Sequence, residues 1–234
     1  MNKNNRNGRK VAFDMTFVQL GWATWMISIG LVIYVGIQIF LGDKNIVDEG
    51  FFNFIENPYK IFMLVVGILS VPSFLSYYVK LGVTRKHYFI GAAISSATLS
   101  VIFMIIAMIV GGIEQLIAPT DVITFLGANA SWILIFFVFS LNIFIYYVAG
   151  WLIGAGYYRF GGWGLTLSIN AALALIFMLD LLWSGELETP LHRLLSIHAP
   201  ENLSLFISFS ASFLLAGISI WAIRAMTKRV RVKM

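Results

Sequence analysis

Six long runs of apolar residues, separated by short polar connections, account for most of the chain. The runs cover residues 20–41, 59–80, 87–111, 131–154, 163–183 and 203–223. Each run is at or beyond the length of about 18 apolar residues at which a membrane-spanning helix is expected. The pattern predicts an all-α fold, a polytopic membrane protein with six transmembrane helices in one transmembrane domain over residues 1–234.

Composition supports this prediction. Of the 234 residues, 59% are hydrophobic and 12% are charged, whereas about a quarter of an ordinary soluble domain is charged. The chain contains no cysteine, which excludes disulfides and thiolate metal sites. Its Asn-rich, basic start lacks a cleavable signal pattern, so we expect the first apolar run to remain as a span.

The distribution of lysine and arginine predicts the orientation of the spans, because cytoplasmic segments of membrane proteins accumulate these residues. Six spans place both termini on one side, and the other side carries only Lys44, Lys60 and Arg193. We therefore expect both termini in the cytoplasm, with the protein in the cell membrane. The net charge of +5 follows this topology and does not indicate nucleic-acid binding. The basic residues on the terminal side are Lys3, Arg6, Arg9, Lys10, Lys80, Arg85, Lys86, Arg159, Arg224, Lys228, Arg229, Arg231 and Lys233.

Residues 80–88 connect the second and third runs and predict a tight cytoplasmic hairpin. Gly82 is expected to end one helix, because glycine accepts the left-handed conformation of a helix C-cap. Thr84 is expected to begin the next helix, because its hydroxyl can accept from the first free amides. Three potentially cationic side chains follow in succession: Arg85, Lys86 and His87.

The third span is long enough for the hairpin to project from the membrane. Taken over residues 85–111 it has 27 residues, or about 40 Å of helix. The hydrocarbon core is about 30 Å thick. The basic tip is therefore expected to stand in the cytoplasm, where its charges either contact a partner or only fix the topology.

Two further segments have helical patterns outside the six runs. Residues 11–20, within a cytoplasmic tail over residues 1–19, can form a short interfacial helix or simply the start of the first span. In the interfacial helix, Phe13, Phe17 and Leu20 would share one face while Lys10, Asp14 and Gln19 faced water. In the outer loop over residues 184–202, Thr189 and Pro190 favour the start of a short amphipathic helix, with an irregular loop as the alternative.

Several runs carry small residues four positions apart, a spacing that lets membrane helices approach closely. We interpret these stripes as packing surfaces inside the chain, with one stripe available for a second copy. They comprise Ala92, Ser96 and Ser100; Gly150 and Gly154; Gly164, Ser168 and Ala172; and Ser204, Ser208, Ser212 and Ala216.

Motifs for catalysis are absent from the sequence. The apolar runs contain no pair of residues suited to intramembrane proteolysis and no His-Glu-x-x-His zinc motif, so we predict no catalytic residue and no metal site. A phosphate-binding loop is also missing, so the chain is not expected to be an ATPase.

The polar residues inside the runs are candidates for a translocation path: Asn142, Asn170 and Asp180. Alternatively, the two asparagines make interhelical hydrogen bonds and Asp180 is hydrated near the outer surface.

The hairpin sequence Leu81-Gly-Val-Thr-Arg-Lys-His-Tyr-Phe89 resembles the Gly-x-Thr/Ser-Arg-Lys-x-x-Phe stretch of small permease subunits common in Gram-positive bacteria. Together with six spans and cytoplasmic termini, it makes the whole chain resemble the membrane subunit of an ABC-2-type ATP-binding cassette exporter.

This resemblance implies a function for the hairpin. It would be the coupling element that docks on a separate cytoplasmic ATPase subunit, where ATP and Mg²⁺ bind, so this chain itself would carry no cofactor. The coupling interface would comprise Gly82, Val83, Thr84, Arg85, Lys86, His87, Tyr88 and Phe89. The resemblance also implies a connecting helix before the first span, at residues 11–20, and an outer helix at residues 190–197.

The resemblance further implies a second permease copy or a sister permease, and export of an amphipathic or hydrophobic substrate. Exporters of this kind carry phenol-soluble modulins, bacteriocins or lipophilic drugs, and an amphipathic peptide is our preferred substrate class. The alternative is a six-span membrane scaffold or immunity protein that transports nothing and binds lipid or another membrane protein.

Overall fold

The computed structural model of the protein describes residues 3–40, 50–117, 131–183 and 204–228, with side chains of the first segment from residue 8 onward. Every long element in these ranges is helical, which confirms the predicted all-α class for them. The predicted amphipathic helix in the loop over residues 184–202 lies outside the described residues. The helices are α1 (Lys3–Phe40), α2 (Gly50–Leu69), a π-helical turn (Ser70–Leu75), α3 (Ser76–Lys80), α4 (Arg85–Ile117), α5 (Trp132–Leu182) and α6 (Leu205–Thr227).

Five of these helical segments are long and apolar enough to cross a membrane, in keeping with the predicted membrane protein. The element α2, the π-helical turn and α3 together form one such segment, Gly50–Lys80, of 31 residues. At 1.5 Å per residue it is about 46 Å long, which exceeds a hydrocarbon core of about 30 Å. A segment of this length that crossed the membrane along its normal would extend beyond the apolar layer.

The longest element, α5, is a hairpin of two packed arms over residues 132–160 and 162–182. Gly161 separates the arms with non-helical dihedral angles, φ 69° and ψ −144°. The hydroxyl of Ser168 lies 3.4 Å from the carbonyl oxygen of Ile153, fifteen positions earlier. Fifteen residues of uninterrupted helix would separate them by about 22 Å. The chain thus reverses at Gly161 without an intervening loop.

The first helix continues without interruption through residues 11–20, so the structure has no separate helix before the first predicted span. Its buried face includes Val11, Met15 and Gln19, which lie four positions apart and therefore share one side of the helix. The expectation that Gln19 faces water is wrong, because this face packs against α4 and the glutamine finds polar partners there.

The core lies between α2 and the first arm of α5, where glycines bring two backbones into contact. A Cβ atom added to Gly67 would lie 2.2 Å from the carbonyl oxygen of Tyr147, and one added to Gly150 would lie 2.0 Å from that of Leu64. Gly154 makes a similar approach to the backbone of Ile68. Such contacts allow dispersion forces to hold membrane helices together, and they make α5 the most buried of the five long segments.

The predicted small-residue stripes pack mainly within the chain. The exception is Ser204, which is exposed at the start of α6 and accepts a hydrogen bond from the Ile207 amide as an N-cap. The buried members are Ala92, Ser96, Ser100, Gly150, Gly154, Gly164, Ser168, Ala172, Ser208, Ser212 and Ala216. Close helix packing inside one subunit is therefore their observed role.

Candidate functional site

The hairpin begins with a complete helix C-cap at Gly82. Its φ of +79° places it in the left-handed region, as predicted. The Gly82 amide donates to the carbonyl of Val79 at 3.0 Å, and the Val83 amide donates to that of Tyr78 at 2.9 Å. These two bonds form a Schellman motif, which satisfies carbonyls that the end of a helix leaves free. The turn is therefore closed by its own backbone.

The next helix begins with the predicted N-cap. The hydroxyl of Thr84 accepts from the His87 amide at 3.3 Å and lies 3.0 Å from Nδ1 of the same histidine. The carbonyl of Thr84 accepts the first helical bond, from Tyr88, at 3.0 Å. With caps on both sides, the connection between two long helices is reduced to four residues, 81–84.

The basic tip is partly engaged by the end of α6. Arg85 donates to the carbonyl of Lys228 at 3.3 Å, whereas Lys86 is exposed. At the end of the first α5 arm, Arg159 donates to the carbonyls of Ala225 and Met226 at 2.6 and 3.2 Å. The last carbonyls of a helix lack intrahelical donors and carry partial negative charge. Two arginines therefore fasten α6 to the hairpin and to α5.

The last two residues of the predicted coupling interface point into the molecule. Tyr88 is fully buried, and its hydroxyl donates to the Ser70 carbonyl at 2.8 Å and lies 2.8 Å from the Ser70 hydroxyl. Phe89 packs on Trp151, with ring centroids 5.2 Å apart, and the guanidinium of Arg224 lies 5.1 Å from its ring centroid. Both residues belong to the predicted coupling interface, but in this conformation their rings pack inside the molecule. Residues 82–87 of the predicted coupling interface are exposed or half-buried at the surface.

The partner of Tyr88 lies in the π-helical turn, directly before α3. This turn contains Pro72, which has no amide hydrogen to donate, and π-turns within helices commonly occur at functional sites. Below the turn, the hydroxyls of Ser76 and Tyr158 share a hydrogen bond of 3.0 Å. The hydroxyl of Tyr78 donates to Asp14 at 2.6 Å. The helix α3, which leads to the hairpin, is thus held in place by side-chain hydrogen bonds.

A buried polar contact joins three helices beside this assembly. The amide of Gln19 donates to the Tyr147 hydroxyl at 3.3 Å, and its carbonyl accepts from Ser95 at 3.1 Å. This site was not predicted from the sequence. The spacing of Gln19 from Val11 and Met15 could have identified it as a residue of the buried face, although not its partners.

The three candidate path residues do not share one environment. Asn142 and Asp180 are buried, on different arms of α5. Asn170 is exposed, and its amide donates to the Thr166 carbonyl of its own helix at 2.9 Å. The interhelical hydrogen bond expected for Asn170 is therefore replaced by a local one, and the structure does not place this residue beside buried Asn142.

A buried ion pair near the start of α2 was also missed. The ammonium of Lys60 lies 2.5 Å from the carboxylate of Glu56, and both side chains are largely buried. The same ammonium lies 5.7 Å from the ring centroid of Tyr146. Lys60 was predicted to lie at the outer side, at the start of the run 59–80, and its four-residue separation from Glu56 places the two on one helix face.

At the end of the molecule opposite the hairpin, Glu114 joins three helices. One carboxylate oxygen accepts from the Phe51 amide at 2.7 Å. The other accepts from the hydroxyl of Tyr34 and, at 3.4 Å, from the amide of Gln38. Because this carboxylate caps the start of α2 and holds α1 and α4 to it, that end of the three helices is braced by charge-assisted hydrogen bonds.

Comparison with known proteins gives no family for the chain. It matches no protein-family model, no curated protein and no solved structure. The resemblance of residues 81–89 to an exporter permease therefore stays a prediction, and the function rests on the geometry of the hairpin and its supports.

Proposed function

We propose that this chain is the transmembrane subunit of an ATP-driven exporter in a bacterial plasma membrane. A separate cytoplasmic ATPase would bind ATP and Mg²⁺ and dock on residues 82–87. The observation that carries the proposal is a short hairpin, capped on both sides, at the junction of two long helices, with a basic tip on which Lys86 is exposed. Such a tip can transmit force from a partner without unfolding, because its backbone hydrogen bonds are already formed within the hairpin.

The topology we propose has six crossings, with both termini in the cytoplasm. The reversal at Gly161 supports it, since each arm of α5 would then cross the membrane separately. The excess of lysine and arginine on the side of the hairpin supports the same orientation. In this arrangement the hairpin, Gly161 and the end of α6 lie together at the inner surface, as their contacts require.

Movement of the tip would reach the membrane through two routes. The first is α4, a helix of 33 residues and about 50 Å, which begins at the tip itself. The second is α3 and the π-helical turn, where Tyr88 of α4 is bonded to Ser70. Because both routes share this bond, displacement of the tip would act on the two helices together.

The substrate class that we propose is an amphipathic peptide, with lipophilic compounds as the related case. Two copies of the chain, or one copy and a sister permease, would enclose the path above two ATPase subunits. The buried side chains of Asn142 and Asp180 are the polar groups of this path, in an interior that is otherwise largely apolar.

The test reverses charge at the tip. The pair Arg85→Glu and Lys86→Glu is compared with Lys3→Glu and Arg6→Glu, which make the same charge change on the same side. We expect the tip variant to insert normally but to lose ATPase binding and peptide transport in proteoliposomes, because acidic partner residues would be repelled. Insertion is read by labelling of single introduced cysteines, which the cysteine-free chain permits.

Normal insertion with undiminished ATPase binding and transport in the tip variant would contradict the coupling role. If both variants insert wrongly to the same extent, the tip charges fix topology and the coupling proposal fails as well. Purification of the chain with a candidate ATPase, followed by peptide-stimulated ATP hydrolysis in lipid discs, tests the exporter against the scaffold.

A further inference from the structure

A cleft of about 570 Å³ lies between the first helix and the hairpin. Its volume is within the range of roughly 300–1,000 Å³ that small-molecule sites occupy. Lys10 and Asp14 of α1 form one wall, and Thr84 and His87 form the other. The cleft therefore lies beside the proposed docking tip, on the side where α1 passes it.

The polar groups of the cleft suit a phosphate. Among the described residues, Lys10 forms no ion pair, and its exposed ammonium is available to a ligand. Asp14, one turn further along α1, accepts instead from the Tyr78 hydroxyl. The hydroxyl of Thr84 and the imidazole of His87 stand together on the opposite wall. The ammonium of Lys10 and the hydrogen-bonding groups of Thr84 and His87 thus face a common space, in which the carboxylate of Asp14 is held by Tyr78.

The position of the cleft points to a lipid. Tyr77, whose side chain is exposed, lies near the hairpin end of its span, where amphipathic rings favour the headgroup level. Phe17 follows Lys10 by two helical turns on the same side of α1 and is 71% exposed. A ligand with its phosphate at Lys10 would therefore have an exposed aromatic surface leading toward the hydrocarbon.

We infer that the cleft binds the phosphate of an anionic phospholipid of the inner leaflet, with an acyl chain along Phe17. Basic pockets between membrane helices on the cytoplasmic side bind such headgroups. The inference uses the proposed orientation, in which the hairpin is cytoplasmic, but needs neither an ATPase nor transport. A lipid held there contacts α1 and the hairpin at once and stiffens the support of the tip.

The test measures thermal stabilisation of the detergent-purified chain by short-chain phosphatidylglycerol, with phosphatidylcholine and glycerol phosphate as comparisons. Phosphatidylglycerol is expected to raise the melting temperature more than either comparison, because it has both the net charge and the acyl chain. Lys10→Gln should weaken its affinity about fivefold, equivalent to the roughly 1 kcal/mol that a lysine contributes beside anionic lipid. Lys10→Arg should retain most of it.

The matched control is Lys86→Gln, which removes an exposed lysine that does not line the cleft and should leave lipid affinity within about twofold. Equal losses in Lys10→Gln and Lys86→Gln would overturn the site, because they would show attraction to general surface charge. Equal stabilisation by glycerol phosphate would overturn the lipid assignment. Since the measurement involves no ATPase, its failure is separable from failure of the exporter proposal.

Discussion

The helical segment Gly50–Lys80 is joined to its neighbours in two different ways on the two sides of its π-helical turn. Before the turn, Gly67 and its surroundings meet the glycines of α5 backbone against backbone. From the turn onward, hydroxyl groups make the contacts, from Tyr88 to Ser70 at the start of the turn and from Tyr78 to Asp14 beyond it. The first contact depends on close packing of two backbones, whereas the second consists of hydrogen bonds, which can exchange partners.

This difference separates a rigid part from a part that can move. Close packing cannot adjust by small steps, because interiors are as dense as organic crystals. A hydrogen bond can be exchanged for one to water or to a partner at a net cost of about 1 kcal/mol. The hairpin is attached to the hydrogen-bonded side, which is where the proposed coupling to an ATPase would require movement.

The largest effect is expected from Gly150→Ala, on the glycine side of the comparison. The new methyl group would lie 2.0 Å from the Leu64 carbonyl oxygen, so α2 and α5 must separate. We expect a loss of about 3 kcal/mol or more in stability, at the upper end for overpacking, measured by unfolding in mixed micelles.

Gly217→Ala is the control for that change. This glycine lies in α6 with nothing within 4 Å of an added Cβ, so its replacement should be neutral or slightly stabilising. If Gly150→Ala unfolds at the same denaturant concentration as Gly217→Ala, the backbone contact between α2 and α5 is not as close as described.

A smaller effect is expected from Tyr88→Phe, at the boundary between the two joins. It removes the hydroxyl bonded to Ser70 while keeping the ring, and should cost about 1 kcal/mol. Amide hydrogen exchange should rise in residues 70–80 and stay unchanged around residue 67. Tyr157→Phe, at an exposed position, serves as the control. Faster exchange on both sides of the turn in Tyr88→Phe would show that the packed and the hydrogen-bonded parts of the segment are not independent.

The smallest effect is expected from Tyr78→Phe, which breaks the bond to Asp14 at the edge of the molecule. Because Asp14 is exposed and can be hydrated, we expect a loss of about 0.5 kcal/mol, at the low end for one hydrogen bond. Tyr77→Phe, at the exposed neighbouring position, gives the baseline. A loss as large as that of Gly150→Ala would show that the two joins do not differ in kind.

Local features of this fold could be predicted from the sequence because they depend on few residues. The caps at Gly82 and Thr84 require only a glycine that tolerates positive φ and a hydroxyl at the start of a helix. The small-residue stripes were likewise readable from spacing, because residues four apart share a helix face.

Contacts between helices could not be predicted in the same way. Periodicity shows which residues lie on one face, but not which helix that face meets. Gln19 was therefore placed in water although Ser95 and Tyr147 bury it, and Phe89 was placed at a partner although Trp151 covers it. Whether a polar residue on an apolar helix faces water or another helix cannot be decided until the neighbouring helix is known.

The bond between Arg85 and the carbonyl of Lys228 also bears on how the protein is handled. Any peptide that follows Lys228 starts beside the hairpin, so the placement of a label becomes an experimental variable. A bulky label attached at position 228 would lie beside Arg85, within the surface that we propose for the ATPase, and a loss of ATPase binding in such a variant would reflect the label. A small fluorophore there would instead report movement of the tip.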